Sequence, residues 1–145
     1  MNLEPLRRPE GPFLHETAEE PGALWDALRA YPGARLLRGA RMVTKAGVMA
    51  EFAAALQFPP AFGANWDALD EALADLSWLG GRGLWLLITD ADQVLSKARD
   101  EDRAIFRSIL EDVAQAWASI EPPAPFHVVM NTEGAEGASR AGGVA

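Results

Sequence analysis

Carboxylates are the residues of this sequence whose spacing most clearly suggests chemistry. Asp67, Asp70 and Glu71 lie close together, and no lysine or arginine occurs between Lys45 and Arg82. In a helix, which turns by about 100° per residue, these three side chains would share one side. Such a group can bind cationic groups of a partner or, in a cleft, exchange protons in general acid–base catalysis. The plainer alternative is a solvated helix face, although adjacent acids without a base one turn away repel each other.

A helix beginning near Trp66 is needed to position these carboxylates. Asn65 is a good N-cap for it, and Asp67 in the first turn favours the positive end of the helix dipole. Phe62 stands next to Gly63, and this glycine is expected to permit positive φ in the turn before the helix. Trp66 is expected at the border between the acidic side and an apolar stripe. The stripe comprises Leu69, Ala72, Leu73 and Leu76.

Three further segments have the composition of β-strands. One begins at Ala34 and ends near Gly39, and the last covers Phe126–Met130. The central segment, Leu84–Ile88, is a continuous apolar run, which is typical of a strand buried on both faces. Because helical segments separate the strands, the sheet is expected to be parallel. The predicted fold class is α/β, with a small three-stranded parallel sheet packed with helices in two or three layers.

Helical patterns account for much of the remaining chain. Thr44 is a plausible N-cap for a helix that must end before Pro59, because proline cannot continue it. The segment from Glu101 to Trp117 is the clearest amphipathic helix. Its predicted core face comprises Ile105, Phe106, Ile109, Leu110, Val113 and Trp117.

The ends of the chain differ in composition from the middle. Residues 1–33 are predicted to form an N-terminal extension with a short helix, whose apolar stripe would include Leu24, Trp25 and Leu28. This segment either packs on the core or hangs from it. The main domain is predicted to cover residues 34–131. Residues 132–145, rich in glycine and alanine, are predicted to be a flexible C-terminal tail.

Charge and composition narrow the possible functions. The 145-residue chain has a net charge of −8 and a pI of about 4.7. An acidic protein repels nucleic acid and anionic lipid and attracts basic partners, so we expect no direct contact with nucleic acid or membrane. No apolar run is long enough to cross a bilayer, and the start lacks the apolar core of a signal peptide. Without cysteine, thiolate catalysis and disulfides are excluded, which fits a cytoplasmic location.

Other groups that could carry chemistry favour structural roles. Asp90 and Asp92 follow the central strand and could hold a divalent metal, but a loop or capping role is the better interpretation. His15 and His127 are far apart in sequence, and a packed or edge position suits His127. The basic stretch Arg35, Arg38, Arg41 and Lys45 could contact nucleic acid, but balancing the acidic helix is the better interpretation. We therefore predict no catalytic residue, no cofactor and no metal site, since exposed carboxylates lack the unequal environments that catalysis needs.

One segment is similar to a known family. Pro60, the sequence "FGANWDAL" over residues 62–69, and Glu71 resemble the barstar family, whose pattern joins an aromatic-Gly-x-Asn turn to Asp-Ala-Leu and a later acid. The resemblance covers roughly Ala34 to Asn131, and the order of strands and helices also agrees. The chain departs from the pattern in three places. Ala61 replaces an aromatic residue, Asp70 replaces a tryptophan, and Trp66 stands where the residue is usually aliphatic.

The resemblance implies a function as a bacterial immunity protein. Barstar-like proteins are intracellular inhibitors of secreted ribonucleases of the barnase kind, and they insert this loop and helix into the active site. Asp67 and Glu71 would then pair with the arginine, lysine and histidine side chains that bind RNA phosphate, with Glu101 as a further contact. The alternative is an adaptor of the same fold that binds a basic protein other than a nuclease. The expected contact residues are Phe62, Gly63, Ala64, Asn65, Trp66, Asp67, Asp70, Glu71 and Glu101.

Overall fold

The computed structural model describes residues 1–75 and 83–132. Within them, four parallel strands form one sheet in the order β1-β4-β3-β2. The strands are β1 (Leu14–Thr17), β2 (Ala34–Arg38), β3 (Leu84–Thr89) and β4 (Phe126–Asn131). The parallel α/β architecture is confirmed.

The predicted number of strands is wrong, because the sheet has four strands and not three. The additional strand, β1, comes from the N-terminal segment and pairs with β4, placing Leu14 beside Val128. Its sequence, LHET, has neither a continuous apolar run nor a regular alternation, since it is a short edge strand of mixed polarity. Only pairing in three dimensions identifies it as a strand.

Four α-helices connect and cover the strands. They are α1 (Pro21–Leu28), α2 (Lys45–Leu56), α3 (Trp66–Ala74) and α4 (Asp100–Ala118). The predicted N-cap of α2 is confirmed, since Thr44 Oγ1 accepts a hydrogen bond from the Gly47 N–H at 3.1 Å. None of the helices among the described residues is long and apolar enough to cross a membrane.

The sheet lies between two helical layers. Alternate residues of β3 face opposite sides, as the pleat requires. Leu84, Leu86 and Ile88 pack in the larger core, together with residues of α2, α3 and α4. Trp85 and Leu87 pack in a smaller core with Leu6 and the α1 residues Leu24 and Leu28. The N-terminal segment therefore covers one face of the sheet.

Helix α4 confirms most of its predicted core face, but Ile105 is an exception. Phe106, Leu110, Val113 and Trp117 are buried, whereas 39% of Ile105 is exposed. Ile105 lies about one turn before the buried Ile109 on the same side of α4, so its exposure marks the edge of the covered surface and is not set by the helical spacing. Leu76 and residues 133–145 of the predicted tail lie outside the described residues, whereas Thr132, the first residue of that tail, donates its N–H to the Thr17 carbonyl at 3.1 Å.

Candidate functional site

The first turn of α3 begins as the sequence predicts. Asn65 Oδ1 accepts a hydrogen bond from the Ala68 N–H at 2.8 Å and so caps the helix. Leu69 and Leu73 are fully buried in the larger core. These contacts fix the rotation of the helix about its axis, and this rotation determines which side chains face outward.

The acidic face of α3, defined as Asp67, Asp70 and Glu71, is exposed to solvent. Within residues 1–75 and 83–132, no ion pair involves any of the three carboxylates. They are mounted on a helix that is fixed to the core. The arrangement is a rigid surface whose negative charge is available to a partner.

The basic stretch of the chain does not balance the acidic face in the described part of the structure, so this prediction is wrong there. The Arg35 guanidinium donates to the carbonyl oxygens of Pro32 and Ala34. Lys45 approaches α3, where its Nζ lies 5.4 Å from the centre of the Trp66 ring. Arg35 is thus used locally, and Lys45, the first residue of α2, lies against an aromatic ring.

The loop before α3 is held by its own contacts. The Phe62 N–H donates to the Pro59 carbonyl at 2.9 Å, and the Phe62 ring lies 4.8 Å from that of Phe58. Positive φ occurs at Ala64, with a value of 53°, and not at Gly63 as predicted. The left-handed residue thus directly precedes the N-cap, Asn65, and turns the chain into the helix.

A shallow hollow separates this loop from the outer side of α3. Its volume is about 250 Å³. Ala61, Phe62 and Gly63 form the loop side, while Glu71 and Ala72 form the helix side. The loop and the acidic face therefore belong to one continuous surface, with Ala61 and Glu71 on opposite sides of the hollow.

Trp66 joins α3 to the start of α4, a contact that sequence analysis did not identify. Its indole Nε1–H donates to Asp102 Oδ1 at 3.1 Å, and its ring centre lies 6.2 Å from that of Phe106. Asp102 is only 7% exposed. The hydrogen bond from Trp66 and the positive charge of Arg99 lower the pKa of Asp102 below its usual value. The buried carboxylate is thus kept charged and links the two helices.

Glu101 differs from the acidic face in its surroundings. It lies in the first turn of α4, directly before Asp102, and is exposed. Its Oε1 is 2.6 Å from Arg99 Nη1, so one of the chain's own arginines neutralises part of its charge. A partner that binds Glu101 has to compete with this surface ion pair, which is a weak competitor in water.

The two histidines form a separate cluster on the opposite side of the sheet. His15 Nε2 lies 2.9 Å from His127 Nδ1, and His127 Nε2 lies 2.6 Å from the Arg8 carbonyl oxygen. The carbonyl oxygen only accepts, so Nε2 of His127 carries the proton, its Nδ1 accepts, and Nε2 of His15 donates. Burial lowers the pKa of both side chains. The packed position predicted for His127 is confirmed, and its pairing with His15 was not predicted.

The two aspartates after the central strand lie at the start of a short turn. Asp90 adopts a left-handed conformation with φ of 47° and leads into a short 3₁₀ turn at Ala91–Gln93. In the part of the chain that the structure describes, no group of three or more histidine, aspartate or glutamate side chains could hold a metal ion. Asp90 therefore has a conformational role in the turn.

The geometry of the acidic face suits recognition of another molecule. Its carboxylates are exposed and fixed, so they can accept hydrogen bonds from cationic donors without a large ordering cost. A model of the family described as Barstar (barnase inhibitor) matches residues 33–131, which include the loop, the acidic face and Glu101. No curated protein sequence matches the chain.

Proposed function

Because this chain belongs to the barstar family, we propose that it inhibits a ribonuclease or ribonuclease-like toxin by covering the enzyme's basic active site. The single observation that carries the proposal is the acidic face of α3, which is exposed and has no ion pair within the described residues. The family match supports the inhibitor role, and the acidic face supports a basic target.

Inhibition follows from the chemistry of RNA cleavage. A ribonuclease cleft collects positive charge in order to bind the phosphates of its substrate. Carboxylates of the acidic face can occupy the phosphate positions and accept charge-assisted hydrogen bonds from the same arginine and lysine side chains. Since α3 is already fixed by Asn65 and by the buried leucines, little conformational freedom is lost on binding.

The proposed contact surface extends on both sides of the acidic face. The loop contributes Phe62, Gly63, Ala64 and Asn65, and Trp66 and Glu101 extend the surface towards α4. An inhibitor of this kind acts in the bacterial cytoplasm, where it protects the cell from an enzyme destined for secretion. It requires no cofactor and performs no catalysis.

The test is direct inhibition of purified ribonucleases. Equimolar protein is mixed with members of a panel of secreted ribonucleases of the barnase kind, and the rate of RNA cleavage is measured. We expect cleavage by at least one enzyme to be abolished. The double variant Asp67→Asn/Glu71→Gln should restore it, and Asp26→Asn, which removes a charge from α1, should not. Undiminished cleavage across the whole panel at excess protein would contradict the proposal.

The second candidate is an adaptor that binds a basic protein other than a nuclease. The hollow at Ala61 and the extra carboxylate of Asp70 favour it, because both depart from the family pattern on the binding surface. Pull-down with this chain from its native cell separates the two candidates without assuming a partner. Recovery of a basic protein that has no RNA-cleaving activity would favour the adaptor.

A further inference from the structure

A second recognition feature adjoins the acidic face. A groove of about 370 Å³ lies between the start of α3 and the start of α4. Lys45, Asn65, Trp66, Asp67 and Ile105 line it, and we refer to it as the Trp66 groove. Asp67 belongs to both surfaces, so a partner seated on the acidic face reaches the groove without a break.

Ile105 is the unusual member of this groove. It is 39% exposed, and it is apolar, whereas its exposed α4 neighbours Arg103 and Arg107 are charged. The exposed part of this side chain adds nothing to folding, since that apolar surface stays in contact with water. Burial of this surface by a partner would release that water and stabilise a complex.

Two polar groups of the groove are already used by the fold. Trp66 Nε1 donates to Asp102, and Asn65 Oδ1 caps α3. The Trp66 ring and Ile105 thus offer apolar surface. Lys45 lies over the Trp66 ring and repels a second cation. The groove therefore favours an apolar group, whereas the acidic face favours a cationic one.

We propose that the Trp66 groove binds an aliphatic or aromatic side chain of the same protein partner whose basic site binds the acidic face. The inference rests on the proposed function and adds a second requirement for the partner: an apolar side chain at the rim of its basic cleft. The charges of the acidic face govern association and its salt dependence, while apolar contact in the groove governs dissociation.

The test compares two exposed isoleucines in complexes with a ribonuclease that the wild-type protein inhibits. Ile105→Ala removes groove surface, and Ile120→Ala is the matched control, because Ile120 is 51% exposed and follows the end of α4. We expect dissociation of the Ile105→Ala complex to be about five- to tenfold faster, with an unchanged salt dependence of the affinity. The Ile120→Ala complex should dissociate at the wild-type rate, and both variants should remain folded with similar, small decreases in the unfolding midpoint.

The outcomes separate the two proposals. If Asp67→Asn weakens the complex and Ile105→Ala leaves its dissociation rate unchanged, the groove is not a binding site, and the inhibitor function stands. An equal effect of the two isoleucine variants would also overturn the groove. If the wild-type protein inhibits no enzyme of the panel, the proposed function fails, and the inference that depends on it fails as well.

Discussion

At the scale of single residues, exposure and partnership determine the role of each carboxylate. Asp67, Asp70 and Glu71 are exposed without an ion pair in the described structure, Glu101 is exposed but paired, and Asp102 is buried and bonded to Trp66. These side chains carry the same formal charge at neutral pH. Only the first three are free of internal partners in the described structure, which makes them the strongest candidates for the centre of an interface.

Charge removal from the acidic face should affect binding far more than folding. Glu71→Gln and Asp67→Asn are each expected to weaken the partner complex by about 2 kcal/mol or more, close to a 30-fold rise in Kd. Their unfolding free energies should change by less than about 1 kcal/mol, because the side chains are exposed and only Asp67 loses an interaction with the helix dipole. Titration calorimetry and chemical unfolding measure the two effects. Affinity equal to that of the Asp26→Asn control would exclude this face from the interface.

Asp102 should act on stability in a pH-dependent way. Its pKa is lowered in the folded protein, so its contribution is complete above the unfolded-state value, near 4, and is lost as the pH falls through the folded-state value. Asp102→Ala should lower the thermal midpoint at neutral pH, since the Trp66 N–H loses its acceptor. Asp102→Asn keeps an acceptor, so its thermal midpoint should lie between those of Asp102→Ala and the wild type. The difference in thermal midpoint between Asp102→Asn and the wild type should shrink as the pH falls towards 3. A difference that does not change with pH would contradict a stabilising role of the charged carboxylate.

At the scale of elements, two contacts that are distant in sequence organise the molecule. Trp66 and Asp102 join the N-terminal ends of α3 and α4, and His15 and His127 join β1 to β4. Each contact joins the polar groups of two side chains that lie next to the apolar core. The relative position of these elements therefore depends on specific hydrogen bonds as well as on apolar packing.

The histidine pair, which links β1 to β4, should make the stability of the protein depend on pH. Burial lowers the pKa of both histidines, so the unfolded chain binds more protons, and stability falls as the pH drops below about 6.5. His15→Gln can still donate to His127 Nδ1 but does not titrate. We expect a shallower decline of the unfolding free energy between about pH 7.5 and 5 in this variant than in the wild type. Identical pH profiles would show that the pair does not control this stability.

At the scale of the whole molecule, the N-terminal segment is part of the folded core. It supplies the edge strand β1 and covers the sheet face formed by Trp85, Leu87 and Val129. The indole Nε1–H of Trp85 donates to the Leu6 carbonyl at 2.8 Å, which ties the first turn of the chain to the central strand. The family match begins only at residue 33, although burial continues into the segment before it.

Truncation of a buried side chain in this segment should destabilise the entire chain. Leu28 in α1 is 1% exposed, and Leu28→Ala is expected to lower the unfolding free energy by about 2–5 kcal/mol. Loss of structure should follow a single transition, monitored by far-ultraviolet circular dichroism and tryptophan fluorescence together. Two separate transitions, the later one unchanged from the wild type, would show that residues 1–33 fold independently of the sheet.

Local sequence determined much of this protein. The N-caps Thr44 and Asn65, the buried strand Leu84–Thr89 and the outward direction of the acidic face all follow from interactions within a few residues of each other. Hydrogen-bonding preferences and apolar periodicity act over this short range, so the sequence alone predicts them.

Tertiary structure alone decided the remaining features. The strand status of LHET, the meeting of His15 with His127, and the bond from Trp66 to Asp102 each depend on partners that are 36 or more residues away. The exposure of Ile105 likewise depends on where α3 packs against α4, because the helical pattern does not define the edge of the covered face. Local sequence patterns indicate which side chains need to be buried or hydrogen-bonded. Only the packing of the whole chain determines which residues they contact.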